Sequence, residues 1–85
     1  MGTVKILMYG TVWCGDTIRA KRLFEKYKVD FDWINIDKDP EGVQRVKEIN
    51  NGYKSVPTII FPDGSILVEP DDEILKNKFI ELGLV

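Results

Sequence analysis

Between residues 4 and 9 the chain reads Val-Lys-Ile-Leu-Met-Tyr, an apolar run broken by one lysine. A nearly continuous run of this length suits a central strand covered on both faces. The spacing then changes: Ala20, Leu23, Phe24 and Tyr27 fall at i, i+3, i+4 and i+7 and predict a helix with a single apolar stripe turned towards a sheet. Residues 31 to 36, Phe-Asp-Trp-Ile-Asn-Ile, are short and rich in β formers, and predict a second strand. Asp39-Pro40 announces a helix, since the aspartate can accept from the first free amides and the proline occupies the first helical position, where its missing N–H has no partner to lose. Val43, Val46 and Ile49 supply that helix with a buried side, and Asn50-Asn51-Gly52 closes it with residues that tolerate positive φ. Thr58-Ile-Ile-Phe61 and Ile66-Leu-Val68 flank Pro62-Asp63-Gly64-Ser65, the pattern of an antiparallel hairpin. Pro70 with Asp71, Asp72 and Glu73 opens a last helix whose acidic first turn suits the macrodipole, and Gly83 ends it.

The order is therefore β-α-β-α-β-β-α. The first two strands are joined through a helix and must run parallel, whereas the last two share a tight turn and must run antiparallel. The result is a four-stranded mixed sheet with three helices, the layout of the thioredoxin fold. No repeat, low-complexity segment or Pro/Gly/Ser-rich linker divides the 85 residues, so one domain spans 1–85. At 44% hydrophobic and 31% charged the composition is that of a soluble globular protein. No apolar run reaches the length of a membrane span and the N-terminus lacks the series of a signal peptide, so no membrane partner and a cytoplasmic location are expected. The formal net charge of -2 gives no concentrated basic surface, and no nucleic-acid partner is expected.

The candidate chemistry rests on one residue. There is a single cysteine and no histidine, which rules out Cys-His and Ser-His nucleophilic sites, a structural zinc site within one chain and an intramolecular disulfide. Cys14 lies in Tyr-Gly-Thr-Val-Trp-Cys-Gly-Asp, residues 9 to 16, where a buried strand turns into a helix. Most lone cysteines are small buried hydrophobes. Here the neighbours are Gly10, Thr11 and Gly15 rather than an apolar face, so the thiol is expected to be exposed near the free N–H groups of the first helical turn, which favour thiolate over thiol. Arg19, Lys21, Arg22, Lys26 and Lys28 against Glu25 add to that field, while Asp16, two residues from the sulfur, opposes it. Trp13, adjacent to the thiol, is expected to form one wall of a substrate groove.

The octapeptide around Cys14, Ser-Val-Pro-Thr at residues 55 to 58, Phe-Pro-Asp-Gly-Ser at the hairpin and Glu-Pro-Asp-Asp at residues 69 to 72 resemble glutaredoxin-like proteins, especially the bacterial mycoredoxin-type branch. The resemblance covers essentially the whole chain. It implies a cis-proline at Pro57, with the Val56 backbone free to pair with a bound substrate in the manner of an added strand. It also implies that Asp71 and Asp72 hold the γ-glutamyl end of a carrier thiol and that Gln44 lies near its glycyl carboxylate. Four positions depart from the family: Thr17 stands where a second cysteine is usual, Val68-Glu69 where Gly-Gly is usual, and Thr11 where a lysine is often found.

The implied function is a thiol-disulfide oxidoreductase of glutaredoxin type, confined to a monothiol mechanism through Cys14. It would act as a monomer on protein mixed disulfides, with no bound cofactor or metal and with a low-molecular-weight thiol, glutathione or mycothiol, as co-substrate. Two other readings belong to different classes: an iron–sulfur cluster carrier completed by Cys14 of two subunits and two carrier thiols, and a thiol-binding or sensor module without turnover. Thr17 has three readings at this point. It is a native monothiol variant whose hydroxyl donates a hydrogen bond to the Cys14 thiolate and stabilises it, a replacement made to trap a mixed disulfide, or a helix residue with no chemical role.

Overall fold

The computed structural model describes residues 5–85; Val4, assigned to the first strand on sequence grounds, lies outside them. The elements follow the expected order: β1 Leu7–Gly10, α1 Gly15–Lys26, β2 Asp32–Asn35, α2 Pro40–Ile49, β3 Thr58–Ile60, β4 Ile66–Val68 and α3 Asp72–Glu81. β1, β2 and β3 are a residue or more shorter than the apolar runs that predicted them, and β4 coincides with its run. Phe31, Ile36 and Phe61 flank the ladders as buried or half-buried anchors rather than belonging to them.

The sheet order is β2-β1-β3-β4. β1 runs parallel to β2, from Leu7 opposite Asp32 to Gly10 opposite Asn35, and antiparallel to β3, with Met8 opposite Ile59. β3 returns antiparallel to β4 through the hairpin, where Phe61 N–H donates to Ser65 O at 2.9 Å and Gly64 takes φ +87°, a conformation that favours glycine. Ile6, Met8, Ile59 and Phe61 share one face of the sheet, and α1 and α3 cover it with Ala20, Leu23, Phe24, Leu75 and Phe79. Phe24 sits at the centre, its ring 4.6 Å from Phe31 and 4.8 Å from Phe79 between centroids. The α1 stripe begins one turn earlier than expected, at the fully buried Thr17, and Tyr27 at its far end is only half-buried. In α2 only Gly42 and Val46 are buried; a Cβ at Gly42 would lie 3.1 Å from an Ile34 methyl and 3.3 Å from an Ile36 methyl, so the helix approaches β2 closely there.

The cap of α2 is the one the sequence predicts, and α3 adds one, since Asp71, read from the sequence as part of the acidic first turn, stands just before it as the N-cap. Asp39 Oδ1 accepts from the Glu41 and Gly42 amides at 3.1 Å each, with Pro40 at the first helical position. Asp71 Oδ1 accepts from Ile74 N–H at 2.8 Å at the start of α3. Away from the helix starts, Lys78 Nζ on α3 reaches Asp63 Oδ2 in the hairpin at 2.7 Å and Glu81 at 2.8 Å. The hydrogen bond from Lys78, followed by those from Ser65, holds the Asp63 carboxyl well below the usual carboxylate range, and the same bond from the other side, with Glu81, raises Lys78.

Candidate active site

β1 delivers the chain to Gly10, and a turn through Thr11, Val12 and Trp13 leads into α1. Cys14 is the N-cap: its backbone is extended at φ -81° and ψ 124°, its carbonyl accepts from Ile18 N–H at 3.0 Å, and its N–H points to Thr11 O at 3.4 Å. The side chain makes no capping bond. It turns instead to the loop before β3, where Sγ lies 3.8 Å from the Val56 carbonyl oxygen. Cys14 is consequently half-buried rather than exposed as expected, because the Val56 segment packs beside it. The Val56-Pro57 peptide is cis, Pro57 is buried, and Pro57 O accepts from Glu69 N–H at 2.9 Å. Glu69 adopts φ +48°, a left-handed backbone with a side chain on it.

Trp13 is 71% exposed, yet its ring is not loose: the indole N–H donates to Asp37 Oδ2 at 2.8 Å. Asp37 is itself oriented at the β2–α2 turn, where its N–H donates to Asn35 Oδ1 at 3.0 Å. The hydrogen bond therefore ties the residue beside the thiol to the turn that follows β2.

Thr17 corrects an expectation. Its hydroxyl does not donate to Cys14; it is fully buried and without a hydrogen-bond partner, as is the hydroxyl of Thr11. The reason is the close approach of α1 to β1 at Gly10. A Cβ at Gly10 would fall 2.9 Å from both Thr17 Cγ2 and Oγ1 and 3.1 Å from the Trp33 ring, so the threonine side chain fills the space that the glycine leaves.

Arg19 joins two candidate regions. Its Nη1 lies 3.0 Å from Asp16 Oδ1, its Nε lies 3.4 Å from Asp72 Oδ1, and Nη2 donates to Pro70 O at 3.3 Å. The start of α3, with Asp71 and Asp72, is thereby tied to the first turns of α1. Gln44 stands apart, exposed on α2, and among the described residues it makes no hydrogen bond to the others. The structure thus places Cys14, next to Trp13 in the chain, beside the Val56-Pro57 segment and ties Asp72 to α1 by way of Arg19, while the Asp71 carboxylate caps α3. Sequence reasoning missed Asp37, Gly10 and the linking role of Arg19. Only the Asp16–Arg19 pair left a readable signal, as opposite charges at i and i+3 of a helix.

A cysteine placed in this way can attack a disulfide sulfur as its thiolate. Cys14 is the only thiol in the chain, so a mixed disulfide formed on it can be displaced only by a thiol from another molecule. Among the described residues no three His, Cys, Asp or Glu side chains cluster as metal ligands, and no helix is long and apolar enough to cross a membrane.

Residues 6–66 match the Glutaredoxin family model. The chain belongs to the glutaredoxin family. This glutaredoxin is 30% identical over 83 residues to a glutaredoxin-like protein of Mycobacterium tuberculosis, covering 98% of this chain and 99% of that one. It is 29% identical over 65 residues to mycoredoxin 1 of Corynebacterium glutamicum, covering 76% and 80%. Its fold superposes on the glutaredoxin of Archaeoglobus fulgidus with a TM-score of 0.73 at 30% identity, covering 89% of this chain and 86% of that one. The mixed sheet and its three helices are a thioredoxin fold. Glutaredoxins are in general thiol-disulfide oxidoreductases.

Proposed function

We propose that this protein is a thiol-disulfide oxidoreductase that works by a monothiol mechanism on protein mixed disulfides of a low-molecular-weight thiol, as a monomer in the cytoplasm. The observation that carries the reading is a single thiol at the N-cap of α1, half-buried against the Val56 oxygen, in a chain with no second thiol to resolve an adduct. In the first step the Cys14 thiolate attacks the carrier sulfur of a protein–S–S–carrier disulfide. The new Cys14–carrier S–S bond forms as the old one breaks, and the protein thiolate leaves with the electron pair and takes a proton from water. In the second step a free carrier thiolate attacks the carrier sulfur bound to Cys14, releasing carrier disulfide and restoring the Cys14 thiolate. Trp13 serves as the wall on which the carrier rests, the Val56 and Pro57 backbone aligns it, and Asp71, Asp72 and Gln44 face its polar ends. Thr17 serves packing and takes no part.

The test is a coupled turnover assay with a small mixed disulfide and either glutathione or mycothiol as reductant. Turnover is expected with at least one of them and none with Cys14→Ser, while insulin is reduced poorly. Thr17→Cys should gain insulin reduction, because cysteines three apart at a helix start bring their Cα atoms to about 5 Å, within disulfide reach. If neither thiol supports turnover, and anaerobic reconstitution yields a coloured dimer, the protein is a cluster carrier instead.

A further inference from the structure

Asp16 is the acid nearest in sequence to the only thiol, and by itself its charge would repel an anionic disulfide approaching the sulfur. The structure does not leave it by itself. Arg19 Nη1 holds its carboxylate at 3.0 Å, and the guanidinium cannot swing freely, because Pro70 O accepts from Nη2 at 3.3 Å and Asp72 lies 3.4 Å from Nε. All three contacts use different nitrogens of one planar fork, which fixes its orientation in a way that a lysine ammonium would not match. The cation is therefore anchored from α3 and presented to the acid two residues beyond Cys14.

We propose that Arg19 is a positioning residue for Cys14: it holds Asp16 in an ion pair and so keeps the approach to the sulfur open to carboxylate-bearing disulfides. The inference rests on Cys14 as the reacting thiol of the proposed function. It assigns to α1 and α3 together the charge state of the approach, and it names anionic carriers as the class that the arrangement admits.

Alkylation of Cys14 by two reagents of like size, neutral iodoacetamide and anionic iodoacetate, measures that charge directly and needs no turnover. The quantity read is the ratio of the anionic to the neutral rate constant at neutral pH and low salt. Arg19→Met should lower the ratio about threefold, the scale of an exposed ion pair, and the loss should shrink at high salt. Asp16→Asn placed in the Arg19→Met background should restore it, and Arg19→Lys should recover part of it. Lys26→Met removes the same charge from the last turn of α1 and should leave the ratio unchanged. An unaltered ratio in folded Arg19→Met, no restoration by Asp16→Asn, or an equal loss in Lys26→Met overturns the proposal while leaving the oxidoreductase reading intact. Should Arg19→Met fail to fold, Arg19→Lys decides, since it keeps the charge but loses the fork: a lowered ratio supports the proposal and an unchanged one overturns it. Failure of both reagents to modify Cys14 in the folded wild type overturns both inferences.

Discussion

Thr17 buries a hydroxyl that finds no partner, in the space beside Gly10. A buried donor left unpaired costs on the order of 1–3 kcal/mol, and valine has nearly the same shape without the hydroxyl. Thr17→Val is therefore expected to stabilise the protein by about 1 kcal/mol, raising the midpoint of a thermal melt by roughly 4–8 °C. A lower midpoint would mean that the hydroxyl has a partner after all. At this scale residue type and adjacency mark Cys14 and Trp13 as candidates in the sequence, and the structure places that thiol at the start of α1. The packing of Thr17 was not legible, since it follows from how closely α1 crosses the end of β1, a distance that no local spacing encodes. For the same reason Asp37 went unseen: its link to Trp13 joins residues 24 apart through the parallel pairing of β1 with β2.

Between elements, the clip from Lys78 to Asp63 fastens the β3–β4 hairpin to α3. The folded state lowers the Asp63 carboxyl and raises Lys78. A lowered acid contributes stability that is fully present above its unfolded value, about 3.9, and is lost as the pH falls through the folded value. A raised base contributes stability that is fully present below about 10.4 and is lost as the pH rises through its folded value. The pair thus stabilises across the whole neutral range. Thermal melts of wild type and Asp63→Asn against pH should show a constant gap near neutrality that narrows below about pH 4; a gap that stays constant into acid would exclude the pair as its source. All seven elements were legible as apolar runs bounded by Pro, Gly and Asp. Their ends were less so, because Phe31, Ile36 and Phe61 are as apolar as strand residues but bury their side chains outside the ladders. The clip itself was invisible, since nothing in either element names the other as its neighbour.

For the molecule as a whole, connectivity dictated which strand pairs run parallel and which antiparallel, and the remaining freedom was where β3 enters. It enters beside β1, placing the Val56-Pro57 loop against the start of α1 and so assembling the site. That assembly depends on a small core. Phe24→Ala removes the ring between Phe31 and Phe79 and is expected to cost about 3–5 kcal/mol, a large share of the 5–15 kcal/mol that holds a domain together. A thermal melt followed by circular dichroism should show the midpoint lowered by at least about 12 °C, and an unchanged melt would place the core elsewhere. The single cysteine has its own consequence at this scale. A molecule with two thiols carries a clock, because an adduct on one can be ejected by the other at a rate independent of what surrounds it. This chain, with Cys14 alone, has none. The lifetime of any adduct is written entirely by the medium, so its decay rate, followed by intact mass, should rise in strict proportion to the concentration of free thiol and extrapolate to zero without it.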